Sequence, residues 1–230
     1  MEKDNFVTLW HGEILPKNGE NQGFFPLLNE HEKNKASTYT QLELRQKYIN
    51  TRGILRSILA HYLDYDPQQI PIETEEYGKP FVPKQFAKSI QFNLSHTRNK
   101  FVIAVSNCSE VGVDIEQCRN RKSLLGLVKK CFSDKEANYW NTLPEEQKID
   151  MFFRFWVRKE AFVKAVGRGI GLGLNQCSIN PEKQDRFTSI PQNYGFASDW
   201  KIVDVPLDSV NVCAIVTKNL EFNYTQTKWT

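Results

Sequence analysis

Apolar and polar positions alternate along most of this chain, and the period of the alternation predicts its elements. A period of two over Phe6 to Leu15 predicts an opening strand, closed by Pro16 and Gly19. Ile90 to Ser95 and Lys100 to Ser106 predict a hairpin, and the second strand is apolar on both faces (Phe101 to Val105), so it should be central. Val111 to Glu116 predicts the next strand; Gln176 to Asn180, Trp200 to Val205 and Val210 to Thr217 predict later ones. A period near 3.6 predicts a short and then a longer helix between Glu30 and Tyr62, with Leu44, Tyr48, Leu55, Ile58 and Tyr62 as the buried stripe. Ser133-Asp134-Lys135-Glu136 has a capping-box pattern and should start another helix. Phe152 to Ala165 predicts an amphipathic helix ended by Gly167. Helix, hairpin and strand patterns occur twice along the chain, with no convincing repeat in the letters.

These elements place several chemically telling residues. In Gly112-Val113-Asp114-Ile115-Glu116 the strand period puts Val113 and Ile115 on one face and both acids on the other. At about 4 Å and an effective dielectric near 20, two such charges repel by roughly 4 kcal/mol. Solvent, a shared proton or a bound cation would each relieve that. Glu160 and Lys164 are one helical turn apart and share a face, as an ordinary surface ion pair also would. Phe92-Asn93-Leu94-Ser95-His96 ends a strand in a serine and a histidine, and Gly78-Lys79-Pro80 is a turn with a basic tip. Arg45, Arg52 and Arg56 form a basic stripe on the long helix, which a solvated face would also explain. Cys118 to Leu127 reads as a basic loop (Arg119, Arg121, Lys122) running into Leu124, Leu125 and Leu127. The glycine-rich run Gly167 to Gly173 follows a helix, not a strand, so it fails the context of a dinucleotide loop and reads as a mobile loop.

Composition narrows the class. The 230 residues can bury one large core or two smaller ones. A net charge of +3 argues against a dedicated nucleic-acid binder. The five cysteines are scattered and lack a Cys-x-x-Cys pair, which argues against a disulfide framework or a zinc site. The first residues lack an apolar leader, and no apolar run reaches spanning length. The expectation is a cytoplasmic monomer that engages neither membrane nor nucleic acid.

The G-K-P turn, the F-N-x-S-H strand end, the G-V-D-x-E strand and the W-x-x-K-E-A-x-x-K helix stand in that order. Together they resemble the signatures of the Sfp-type 4′-phosphopantetheinyl transferases, close to their cyanobacterial HetI-like branch. The resemblance runs from about Leu28 to Cys213. It implies an α+β fold of two similar halves related by a pseudo-twofold axis, 1–109 and 110–230, with the active site between them. It implies an enzyme that transfers the 4′-phosphopantetheine arm of coenzyme A to a serine of an apo acyl or peptidyl carrier protein. The carriers are those of fatty-acid, polyketide or nonribosomal-peptide biosynthesis, and adenosine 3′,5′-bisphosphate is released. By resemblance, Asp114, Glu116 and Glu160 hold Mg²⁺. His96 and Lys164 donate to the pyrophosphate, Glu160 is the general base, and Lys159 and Ser95 contact coenzyme A. Gly78, Lys79 and Pro80 press on the adenine. A basic residue among Lys33, Lys35, Arg45 and Lys47 holds the 3′-phosphate, with Arg45 and Lys47 favoured. The loop carrying Arg119 to Leu127 would grip a carrier helix that is acidic with exposed apolar residues. A second Mg²⁺-dependent phosphoryl transferase, a non-catalytic coenzyme A or carrier-binding module, and a plain interaction domain are the competing readings. Coenzyme A dependence, turnover and divalent-dependent nucleotide binding separate them.

Overall fold

Strands that alternate strictly need cover on both faces when each face is apolar in turn, and that requirement sets the layering here. The computed structural model describes residues 4–15, 23–120, 123–218 and 221–230. Pro16, Gly19, Arg121 and Lys122 lie outside them. The first part of the chain runs β1 (Phe6–Glu13), α1 (Glu30–Ser37), α2 (Leu42–Leu63), the short pair β2 (Glu73–Thr74) and β3 (Pro80–Phe81), α3 (Lys84–Ala87), β4 (Gln91–Thr97) and β5 (Lys100–Ser106). The second part runs β6 (Val111–Gln117), α4 (Leu124–Cys131), α5 (Asp134–Thr142), α6 (Glu145–Ala165), β7 (Ser178–Ile179), β8 (Phe187–Ser189), β9 (Trp200–Asp204), β10 (Asn211–Lys218) and β11 (Asn223–Lys228). This is a mixed helix-and-sheet, α+β fold.

Two sheets stack between two long helices. Phe101, Ile103 and Val105 of β5 pack with Ile54, Leu55 and Ile58 of α2. The alternate positions Val102 and Ala104 join Val7 and Leu9 of β1 against Val113, Ile115, Cys213 and Ile215 of the second sheet. On its far face, Val212, Ala214 and Val216 of β10 meet Phe155, Ala161 and Phe162 of α6. The doubly apolar β5 is therefore central, as its composition predicts.

The sheet orders match. The first sheet contains β1-β5-β4 and the second is β6-β10-β9, with antiparallel neighbours throughout. In each, the strand that precedes the helices sits beside the last strand of the following hairpin. β11 then returns to the first sheet and pairs in parallel with β1. A division at 109/110 therefore leaves the last strand of the 110–230 segment on the other sheet. Three further expectations are corrected. Residues 124–131 are helix rather than loop, because Val128 and Cys131 have a core to bury against. Gly169–Leu172 and Leu174–Gln176 are tight 3-10 turns rather than open loop. The Gln176 to Asn180 strand shrinks to two residues. No helix among the described residues is long and apolar enough to cross a membrane, and all five cysteines are free.

Candidate active site

The site begins with a glycine that lets a helix lie directly on a strand. A Cβ on Gly112 would overlap the carbonyl oxygen of Ala161 and the amide of Ala165, so α6 rests backbone-close on β6. The next residue on that face of β6 is Asp114, buried beneath the Glu160–Lys164 turn of α6. Lys164 Nζ donates to Asp114 Oδ1 at 2.6 Å and to Ser95 Oγ at 2.9 Å, and Ser95 Oγ donates to Asp114 Oδ1 at 2.7 Å. Asn93 Oδ1 accepts from the Val113 amide at 3.0 Å. Side chains of β4 thus stitch it to β6, where Ser95 orients Asp114.

Two carboxylate oxygens in this cluster, Asp114 Oδ2 and Glu160 Oε1, are buried with no hydrogen-bond partner. Burial, then the Asp114 charge, push the Glu160 carboxyl up to about 7, with Lys164 opposing and Glu116 adding to the rise. Orphaned acceptors of this kind are costly unless something positive meets them. Two buried, unpartnered hard oxygen donors fit a divalent cation that takes its other ligands from phosphate and water. The expected triad is only partly assembled. Among the described residues no three His, Cys, Asp or Glu side chains are gathered as a metal cluster. Glu116, at the next same-face position of β6, acts on Glu160 through its charge without completing such a set.

His96 stands at the mouth of this cluster, one residue past Ser95. Burial and then Lys164 push its imidazole below the usual range, with Lys47 adding to the effect. Lys47, on one face of α2, acts on His96 through its charge, while its ammonium pairs with Glu43 Oε1 at 2.6 Å. Arg45, two residues earlier, cannot share that face, since positions i and i+2 on a helix point apart. It lines a small apolar groove with Phe25, Leu42 and Ile49. The two favoured candidates for the 3′-phosphate thus lie on different faces of α2. Gly78 adopts φ +88°, which the tight turn requires, and Pro80 opens β3. Lys79 Nζ donates to the Ala165 carbonyl at 2.7 Å, capping the C-terminal end of α6 instead of pointing free into the cleft. Burial lowers its pKa, while Glu75 and Glu110 resist. It borders a cavity of about 1020 Å³, which neither Asp114 nor Glu160 lines.

Lys159 is the plainest correction. Its ammonium is fully buried and faces away from the acids, donating to Glu136 Oε2 at 2.5 Å and to the Cys131 carbonyl at 2.9 Å. A helical residue one step from Glu160 is turned about 100° from it, and here that direction is the core of the second half. Arg52 and Arg56 are no solvated stripe either. Both bind Glu32, with Arg56 Nε at 2.5 Å, and Arg56 is fully buried. In the region beyond β6, Arg119 is exposed, Leu124 and Leu127 pack on the core, and Leu125 remains 54% exposed. Sequence reasoning passed over Gly112, Asn93 and Glu136 as site-shaping residues. For Glu136 a signal was present, since its capping box is real: its side chain accepts from the Ser133 amide.

Comparison with known proteins gives the family. Residues 13–109 match the family model of the 4′-phosphopantetheinyl transferase N-terminal region, and residues 110–216 match that of the 4′-phosphopantetheinyl transferase superfamily. The chain is 33% identical to the 4′-phosphopantetheinyl transferase HetI of Nostoc sp. over 91% of its own length and 86% of that protein. It is 32% identical to a putative 4′-phosphopantetheinyl transferase of Synechocystis sp., over 80% of this chain and 74% of that one. Against the 4′-phosphopantetheinyl transferase Sfp of Bacillus subtilis the identity is 27%, covering 70% and 69%. With HetI matched at that identity over nearly its whole length, the chain belongs to the Sfp-type 4′-phosphopantetheinyl transferase family.

Proposed function

We propose that this enzyme transfers the 4′-phosphopantetheine arm of coenzyme A to a serine hydroxyl of an apo acyl or peptidyl carrier protein. The reading rests first on the orphaned oxygens of Asp114 and Glu160 beside the Lys164–Asp114 pair. Asp114 and Glu160 would hold Mg²⁺, with Glu116 alongside, and the cation would neutralise pyrophosphate charge. His96 and Lys164 donate to the pyrophosphate oxygens. The carrier serine oxygen attacks the phosphorus that bears pantetheine, and its proton passes to Glu160 directly or through water. The bond from that phosphorus to the bridging oxygen breaks. Its electron pair leaves on adenosine 3′,5′-bisphosphate, where the Lys164 ammonium balances the new charge. Lys47 holds the 3′-phosphate, and the Gly78-Lys79-Pro80 turn borders the adenine.

Two halves, meeting near Ser109 and related by a pseudo-twofold axis, frame this site. The shared strand order supports that reading. The carrier docks on α4, where Leu125 is exposed with Lys129 and Lys130 beside it and Arg119 precedes it. An acidic carrier helix with exposed apolar residues is the complement of that face. The enzyme works in the cytoplasm as a monomer.

The test is chromatographic. Coenzyme A, Mg²⁺ and an apo carrier should together yield adenosine 3′,5′-bisphosphate in one-to-one ratio with modified carrier. Leaving out the carrier or adding a chelator should abolish it. Coenzyme A binding with no such product would mark a non-catalytic binding module.

A further inference from the structure

Two α-helical capping boxes share an unexpected feature. Each places a buried glutamate at the third position of a short helix, and each glutamate receives a cation from the following long helix. In the first half, Asn29 caps α1, and Glu32 receives Arg56 of α2, 24 residues later. In the second, Ser133 caps α5, and Glu136 receives Lys159 of α6, 23 residues later. Glu136 is fully satisfied. Oε2 accepts from the Ser133 amide at 2.7 Å, its hydroxyl at 3.0 Å and Lys159, while Oε1 accepts from the Ile179 amide at 2.7 Å. The pair joins α5, α6, β7 and the end of α4 at one buried point.

The residue after each clamped cation differs. It is Ser57 on α2 and Glu160 on α6. We infer that Glu136 and Lys159 are a positioning pair. By fixing the rotation of α6 about its axis, they hold the Glu160 carboxylate opposite Asp114 at the metal-binding position. The inference rests on the reading of Asp114 and Glu160 as the metal's holders. Gly112 sets how closely α6 approaches β6, and the buried pair sets which side chain faces it. Without the pair, α6 can roll on the glycine contact, and Glu160 loses its register with Asp114. Supports of this kind behind a metal ligand are worth about tenfold to a hundredfold in metal affinity.

The test uses the whole chain with Mn²⁺ as the metal probe, followed by the loss of free-ion paramagnetic signal in the presence of coenzyme A. Single changes leave a lone buried charge and can unfold the protein. The decisive variant is therefore the neutral double substitution Glu136→Gln with Lys159→Met, since exchanging a buried pair for uncharged groups is commonly tolerated. Its counterpart control is Glu32→Gln with Arg56→Met. The inference expects the first double variant to melt cooperatively and bind Mn²⁺ on the order of tenfold more weakly. Its coenzyme A KM at saturating metal should be unchanged, and the control should keep wild-type Mn²⁺ affinity. Unchanged Mn²⁺ affinity in the folded first variant would overturn it. So would a raised coenzyme A KM at saturating metal in the folded first variant, which would put Lys159 on phosphate. A wild-type protein that binds no Mn²⁺ would instead overturn the metal reading itself.

Discussion

The two halves of this molecule share strand order and a buried glutamate–cation clamp, but they use the clamp for different ends. On α2 the clamp is an arginine, which also donates to the Pro67 and Ile70 carbonyls and so ties down the chain leaving the helix. Nothing acidic follows it. On α6 the clamp is a lysine, and the next residue is the acid that meets Asp114. The glycines at the two helices differ as well. A Cβ on Gly53, within α2 itself, would overlap the Cβ and ring of Phe24. A Cβ on Gly112, in the strand beneath α6, would meet the backbone of that helix. Under the proposed function, the clamp on α2 supports the chain and the clamp on α6 mounts Glu160.

Substitutions at matched positions can break this comparison, and the largest effect belongs to the acids. Glu160→Gln or Asp114→Asn should cut kcat about a hundredfold or more, some 2.7 kcal/mol in the barrier. Melting should hold or rise in Glu160→Gln, because its buried carboxyl no longer faces the Asp114 charge, and should fall in Asp114→Asn, which weakens the ion pair with Lys164. Ser57→Ala, at the equivalent step of α2, should leave both activity and stability within about 0.5 kcal/mol of wild type. Steady-state kinetics and thermal melts on the three variants decide it. A Ser57→Ala protein as impaired as Glu160→Gln would erase the distinction between the halves.

Next come the clamps taken singly. Arg56→Met and Lys159→Met each strand a buried glutamate and should cost about 3–5 kcal/mol in denaturant unfolding. If either loss is small, that pair is not the buried anchor described. Gly112→Ala follows, at about 1–3 kcal/mol from overpacking, with activity falling alongside as α6 is pushed off β6. Gly53→Ala should lower stability without touching kcat. The smallest effect separates two basic residues on one helix. Lys47→Ala should raise coenzyme A KM several-fold, on the order of 1 kcal/mol, and lose discrimination against dephospho-coenzyme A. Arg45→Ala should retain that discrimination, and a loss of it there would return the 3′-phosphate to the groove side of α2.

Much of this was readable beforehand, for reasons that also explain what was not. β4, β5, β6 and α6 carry strong apolar periods because each is covered by a core, and Ser95, Asp114, Glu160 and Lys164 of the candidate site lie on β4, β6 and α6. β11 gives no apolar period because Asn223 to Lys228 is a polar edge strand exposed on both faces, held by backbone bonds to β1. The stripe of arginines on α2 fixed a shared face for Arg52 and Arg56 but not its partner, Glu32, which lies in another helix. Lys159 was misread for the same cause. Charge type is visible in a sequence, whereas a partner 23 residues away is not. The two clamps were visible only as capping boxes, since a one-residue difference in spacing and the change from Arg to Lys hide the repeat in the letters.

The central claim is that this chain moves a pantetheine arm and that the acids shared by β6 and α6 do it. Intact mass of an apo carrier protein after incubation with coenzyme A, Mg²⁺ and catalytic amounts of enzyme tests it most directly. The account predicts a gain of about 340 Da, the transferred arm, with wild type and none within the same time with folded Glu160→Gln. An equal gain with Glu160→Gln, or no gain on any carrier from a folded wild-type protein that binds coenzyme A, would contradict it.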